Sequence, residues 1–179
     1  MTKLSRRAVA AAVAAVALGA GTATWGAAAA SAAPATAAPS ISRCTSGQLN
    51  VWVSPDSANG TAGTTYYHLD ITNISGRECV LNGWPGVAAT DSRGRQLGGP
   101  ATRISRPGAT TVAIFPDATA HATLGYVDAR LSRSCRPATA TSLRVALPGV
   151  RGTRNAFFPL SVCTRGASVL TIGSVQSGA

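Results

Sequence analysis

Between residues 64 and 73 apolar and polar side chains alternate. Tyr67, Leu69 and Ile71 fall on one face, and Tyr66, His68, Asp70 and Thr72 on the other. A period of two predicts a strand with one face buried. Residues 49–53 form a shorter apolar run that Ser54-Pro55-Asp56 ends, and Trp52 within it reads as a core residue. The turn Asn73-Ile74-Ser75-Gly76-Arg77 leads into a return strand at Cys79-Val80-Leu81. Residues 87–90 come next and are closed by the turn Asp91-Ser92-Arg93-Gly94-Arg95. Further strands are expected at 110–115, 122–127, 142–147 and 168–172, punctuated by Pro107-Gly108, Pro116-Asp117 and Pro148-Gly149. Past the N-terminal region no stretch shows three clean helical turns, and the best helical alternative, 118–124, is short. Many short strands at this spacing predict an all-β domain, an antiparallel immunoglobulin-like β-sandwich.

The first 32 residues have a different pattern. Lys3, Arg6 and Arg7 precede the run 8–20, which is uncharged and rich in Ala and Val. Its 13 residues are too few for a membrane span. Ala30-Ser31-Ala32 matches a small-residue cleavage pattern, so residues 1–32 read as a secretory signal peptide. Ser5-Arg6-Arg7 loosely resembles a twin-arginine export signal, but bulky apolar residues do not follow the pair. No cysteine stands at the cleavage region to take a lipid. Residues 33–42 read as a Pro/Ala-rich linker, 43–172 as the folded domain and 173–179 as a frayed tail. The expected product is secreted, free or loosely held at the cell wall, with no transmembrane segment after cleavage.

That division changes the meaning of the composition. The whole chain carries a formal charge of +10. Removing Lys3, Arg6 and Arg7 leaves 13 Arg against six acids, a net +7 without a single Lys. The four cysteines, Cys44, Cys79, Cys135 and Cys163, contain no C-x-x-C pair, which argues against a zinc knuckle or a redox motif. An even count in an exported chain predicts two disulfides. Three connectivities are open, and pairing Cys44 with Cys79 and Cys135 with Cys163 closes two local loops.

Candidate chemistry is sparse. His68 and His121 are the only histidines, and His68 reads as a surface or cross-strand residue. A His–Asp–Ser set can be drawn with His121 and Asp117 or Asp128, yet serine is so common here that the drawing has little specificity. No G-x-S-x-G elbow, H-E-x-x-H pair, dinucleotide fingerprint or phosphate loop occurs. No catalytic residue, cofactor or metal is therefore expected. The Gly83-Trp84-Pro85-Gly86 corner places Trp84 either over one end of the core or outward as a recognition platform. Arg93, Arg95, Arg103 and Arg106 form one loose basic group with it, a candidate binding surface. Arg130, Arg133, Arg136 and Arg144 form a second group, and Arg151, Arg154 and Arg165 a third. Export sets intracellular nucleic acid aside, so the expected partner is an anionic cell-wall polymer or an extracellular protein.

Several of these pieces recur together in a known family. They are Cys44, then Leu69-Asp70-Ile71-Thr72-Asn73 with Gly76-Arg77 and Cys79, then Leu81-Asn82-Gly83-Trp84-Pro85-Gly86-Val87 and Asp91-Ser92-Arg93-Gly94. Leu97-Gly98, Cys135-Arg136-Pro137-Ala138, Leu143-Arg144-Val145, Leu147-Pro148-Gly149 and Cys163 complete the set. In this order the chain resembles the actinobacterial secreted domain of unknown function 4232 over residues 43–172. The resemblance implies a small exported sandwich with paired cysteines. It carries over no catalytic residue, because none is established for the family. The combined reading is a secreted, non-enzymatic binding or structural module acting at the envelope. The rival is a small extracellular hydrolase whose site is assembled from distant residues.

Overall fold

The computed structural model describes residues 40–61, 63–131, 134–165 and 168–178. The expected signal peptide and linker positions 33–39 lie outside the described residues, as does Arg133. The described chain is all-β. Its strands are β1 (Leu49–Thr61), β2 (Thr64–Asn73), β3 (Cys79–Asn82), β4 (Gly86–Thr90), β5 (Thr102–Arg103) and β6 (Thr111–Ile114). They continue with β7 (Thr119–Val127), β8 (Pro137–Ala146), β9 (Arg154–Cys163), β10 (Leu170–Ile172) and β11 (Gln176–Ser177). No helix among the described residues is long and apolar enough to cross a membrane.

The strands form three hydrogen-bonded sheets. The largest runs β1-β2-β7-β10-β5, with β11 also on β7. β3 pairs with β6, and β4-β8-β9 makes the third sheet. Every pairing is antiparallel except β10 with β5. Alternation decides what faces inward. Val51, Val53, Leu69, Ile71, Ala122, Leu124, Leu170 and Ile172 of the large sheet share one core with Leu143, Val145, Ala156, Leu160 and Val162 of the third. Tyr67 meets Phe158 edge-on with ring centroids 4.9 Å apart. The Tyr126 hydroxyl donates to the Ser161 carbonyl (3.1 Å) and accepts from the Ser161 N–H (3.2 Å). Together these contacts join β2 and β7 to β9.

Both disulfides form with the expected partners, Cys44–Cys79 and Cys135–Cys163. The first fastens the segment before β1 to the start of β3. The second ties the entry of β8 to the end of β9.

The structure departs from the sequence reading at several places: β1 runs through Ser54-Pro55-Asp56, expected to end it, to Thr61, and β8 begins at Pro137, five residues ahead of the expected 142. Trp52, expected in the core, is 42% exposed. Val51 and Val53 take the inward positions of β1, so the residue between them must point out. Strand β9 was not expected, because adjacent Phe157 and Phe158 and Pro159 break its alternation. Proline is tolerated there since β9 is the edge strand of its sheet. Residues 173–178, expected as a frayed tail, are anchored. Val175 is fully buried, its N–H donates to the Gly83 carbonyl at 2.9 Å, and β11 pairs with β7.

Candidate functional site

Trp84 sits in the corner between β3 and β4. Gly83 makes the bend with φ of +121°, a backbone that side chains rarely adopt, and a Cβ there would lie 3.2 Å from Pro148. The half-buried Trp84 donates its indole N–H to the Ile104 carbonyl at 2.8 Å. The exposed Arg103 guanidinium lies 6.0 Å from its ring centroid, at the outer reach of a cation–π contact. Arg106 is exposed in the loop that follows β5.

Arg93 and Arg95 occupy a different place, the turn beyond the far end of β4. Five strand residues separate that turn from the Trp84 corner, about 17 Å at the usual rise. Asp91 organises the turn. Its Oδ1 accepts the backbone N–H groups of Arg93 and Arg95, both at 2.9 Å, and its Oδ2 takes the Arg95 Nε–H at 2.9 Å. The backbone donor of Arg95, helped by its side chain and by the Arg93 N–H, holds the Asp91 carboxyl below its ordinary range. Four of the five residues of the expected basic surface therefore form two groups, Trp84 with Arg103 and Arg93 with Arg95, while Arg106 stands in the loop after β5. Arg144 on β8 lies beside the second group and reaches the Gly94 carbonyl and Gln96 Oε1.

A constellation the sequence did not announce lies on the outer face of the large sheet. β2 brings His68 and Asp70 to that face, and β7 pairs with β2 so that His121 stands opposite Asp70. His68 and His121 stack across the strands, with centroids 4.4 Å apart and planes 19° from parallel. Asp70 is only 8% exposed. Burial pushes its carboxyl above the ordinary range, against a smaller opposing pull from the two imidazoles. Burial also lowers the pKa of His121, as does His68, while Asp70 acts in the other direction. These residues line an open cavity of about 520 Å³ with Ala118, Thr119 and Gly178. The hydroxyls of Thr72 and Thr119 bond to each other at 2.8 Å.

The half of this cluster on β2 was legible, since residues two apart on a strand share a face. The half on β7 depended on a register that no local pattern reveals. Among the described residues, no hydrogen bond joins either imidazole to Asp70 or to a hydroxyl, so the nucleophile–base–orienter chain of a hydrolytic triad is not formed. No three His, Cys, Asp or Glu side chains among them are placed to hold a metal ion.

No curated protein and no solved structure matches the chain. Residues 44–176 match a family whose boundaries coincide with the elements just described, from the first disulfide cysteine to the first residue of β11. The chain belongs to that family, the Domain of unknown function (DUF4232).

Proposed function

We propose that this chain is exported and serves as a non-catalytic binding module at the cell envelope, holding an anionic polymer through arginines carried on an immunoglobulin-like β-sandwich. One observation carries the reading: the arginines are largely uncompensated. Among the described residues only Arg95 with Asp91 and Arg130 with Asp128 form ion pairs. The net +7 of residues 33–179 is thus available to an outside partner. Solvated charges are screened beyond about 8 Å at physiological ionic strength, so a partner must present closely spaced anions at the surface. A polyanion does so, and the field of the whole domain speeds its encounter. The Trp84–Arg103 corner supplies one contact point with an aromatic ring and a cation side by side.

The test is co-sedimentation of the oxidised protein with purified anionic wall polymer across a salt series. Retention at low salt that falls steeply as salt rises is the expected result, and Arg103→Ala with Arg106→Ala weakens it. Absence of retention at low salt sinks the proposal. The second reading, a small extracellular hydrolase, draws on the gathering of His68, Asp70 and His121 in one cavity. It requires a hydroxyl nucleophile bonded to an imidazole, whereas the nearby Thr72 and Thr119 hydroxyls are bonded to each other.

A further inference from the structure

We propose that the cavity on the outer face of the large sheet binds a neutral saccharide chain, with Asp70 as the hydroxyl acceptor and Trp52 as the stacking platform. The site is separate from the arginine surface and does not depend on it.

Four directly paired residues form a row across that face. Trp52 on β1 pairs with Asp70 on β2, Asp70 with His121 on β7, and His121 with Gln176 on β11. Paired residues project to the same side of a sheet, and four strands at the usual spacing extend about 14 Å. The row is thus long enough for more than one sugar ring. The cavity of about 520 Å³ beside it lies within the range of about 300–1,000 Å³ common for small-ligand sites.

Asp70 gives the site its chemistry. The residue is 8% exposed and lines the cavity, and its carboxylate has no hydrogen bond or ion pair among the described residues, its oxygens keeping contact with the open side of the cavity. A carboxylate largely shielded from water and left without protein donors is poorly satisfied, and a ligand bringing two hydroxyls to its oxygens supplies the donors it lacks. Among the described residues no neighbouring side chain does so. The Thr72 and Thr119 hydroxyls are mutually bonded, and Gln176 spends its Nε2 donors on Ser174 Oγ (2.8 Å) and the Val175 carbonyl (3.0 Å). The Gln176 amide oxygen is left as a further acceptor. A neutral imidazole adds one donor and one acceptor.

Charge selects among ligand classes. No arginine lines the cavity, and the Asp70 carboxylate in its lining repels anions. A cation has to enter a domain of net +7 past two histidines. A neutral polyol meets neither barrier, and its hydroxyls suit a site rich in acceptors. The indole of Trp52, 42% exposed beside Asp70, offers the flat apolar surface that the C–H face of a pyranose ring covers.

The experiment uses the oxidised protein with a panel of neutral tetrasaccharides (β-1,4-glucan, α-1,4-glucan, mannan and chitin fragments), followed by calorimetry and tryptophan emission. At least one is expected to bind saturably, shift the emission and keep its affinity when salt is raised. Asp70→Asn and Trp52→Ala each weaken that binding by about tenfold or more, with the near-ultraviolet dichroism of the fold retained. Trp52→Phe, which keeps a ring, restores part of it and serves if Trp52→Ala does not fold. The proposal is overturned if no member of the panel binds at about 10 mM, a concentration that reveals even interactions weaker than about −4 kcal/mol. It is also overturned if binding survives in both Asp70→Asn and the Trp52 variant. Failure of polymer retention by the arginine surface has no bearing on either outcome.

Discussion

Asn73 is the buried polar residue on which one end of the domain depends. Its side chain is fully buried. Nδ2 donates to the Arg77 carbonyl (2.7 Å) and the Ile114 carbonyl (2.9 Å), while Oδ1 accepts from the Ser75 N–H (3.0 Å) and hydroxyl (2.7 Å). Its main chain meets the turn before β7, through Ala118 and Asp117. Asn73→Ala removes all four side-chain bonds. Ser75 and Arg77 lie near water and recover partners, at a loss of a few tenths of a kcal/mol each. The Ile114 carbonyl is inside, and leaving it without this donor costs about 1–3 kcal/mol. The total is about 3 kcal/mol, a large share of the stability of an ordinary domain. In urea denaturation with an m of about 1.5 kcal/mol/M, the midpoint falls by about 2 M at unchanged m. Asn73→Asp supplies a sharper check. It keeps the acceptor, loses both donors, and sets a carboxylate against two carbonyls. That variant is expected to be less stable than Asn73→Ala at neutral pH and to recover as acid protonates it. An Asn73→Ala midpoint within about 0.5 M of wild type refutes the hub role.

Three further outcomes are expected. Limited reductant opens Cys135–Cys163 first, because Cys135 is partly exposed whereas Cys44 and Cys79 are 3% and 0% exposed, and thiol exchange requires access. Mass mapping of alkylated cysteines reads the order, and early labelling of Cys44 contradicts it. Replacing Cys44 and Cys79 together by Ala costs about 4 kcal/mol for a bridge spanning 35 residues, on the chain-entropy account. For His121, the folded pKa lies below the ordinary 6.5, so the unfolded chain takes up a proton first as pH falls. Stability is therefore lost from about pH 6.5 downward until the folded pKa is passed. His121→Gln flattens that slope in melting curves recorded across the window; an unchanged slope places its origin elsewhere.

The legibility of the fold followed the range of the interactions. β2 was readable because Leu69 and Ile71 alternate with polar neighbours and no proline interrupts them. The local disulfide pairing was readable from loop size. β9 was not, since Pro159 and two adjacent phenylalanines hide the inward series Ala156, Leu160 and Val162. Trp52 was misplaced because aromatic character suggested burial where strand parity between Val51 and Val53 dictated the reverse. At the sites, His68 and Asp70 could be set on one face from spacing alone. The position of His121 beside them follows from the β2–β7 register. The Trp84 anchor is an indole bond to a carbonyl 20 residues away, which no local pattern contains.

The route of the last residues also sets the order in which the domain can be completed. β10 lies between β7 and β5, and Leu170, Ile172 and Val175 fill core positions that nothing earlier in the chain supplies. A polypeptide delivered N-terminus first, from a ribosome or through a pore, reaches this point with one side of β7 unpaired and β5 without its neighbour. An open strand edge of that kind is prone to wrong pairing. Closure waits for residues 170–177, so the large sheet seals only once these residues have been delivered.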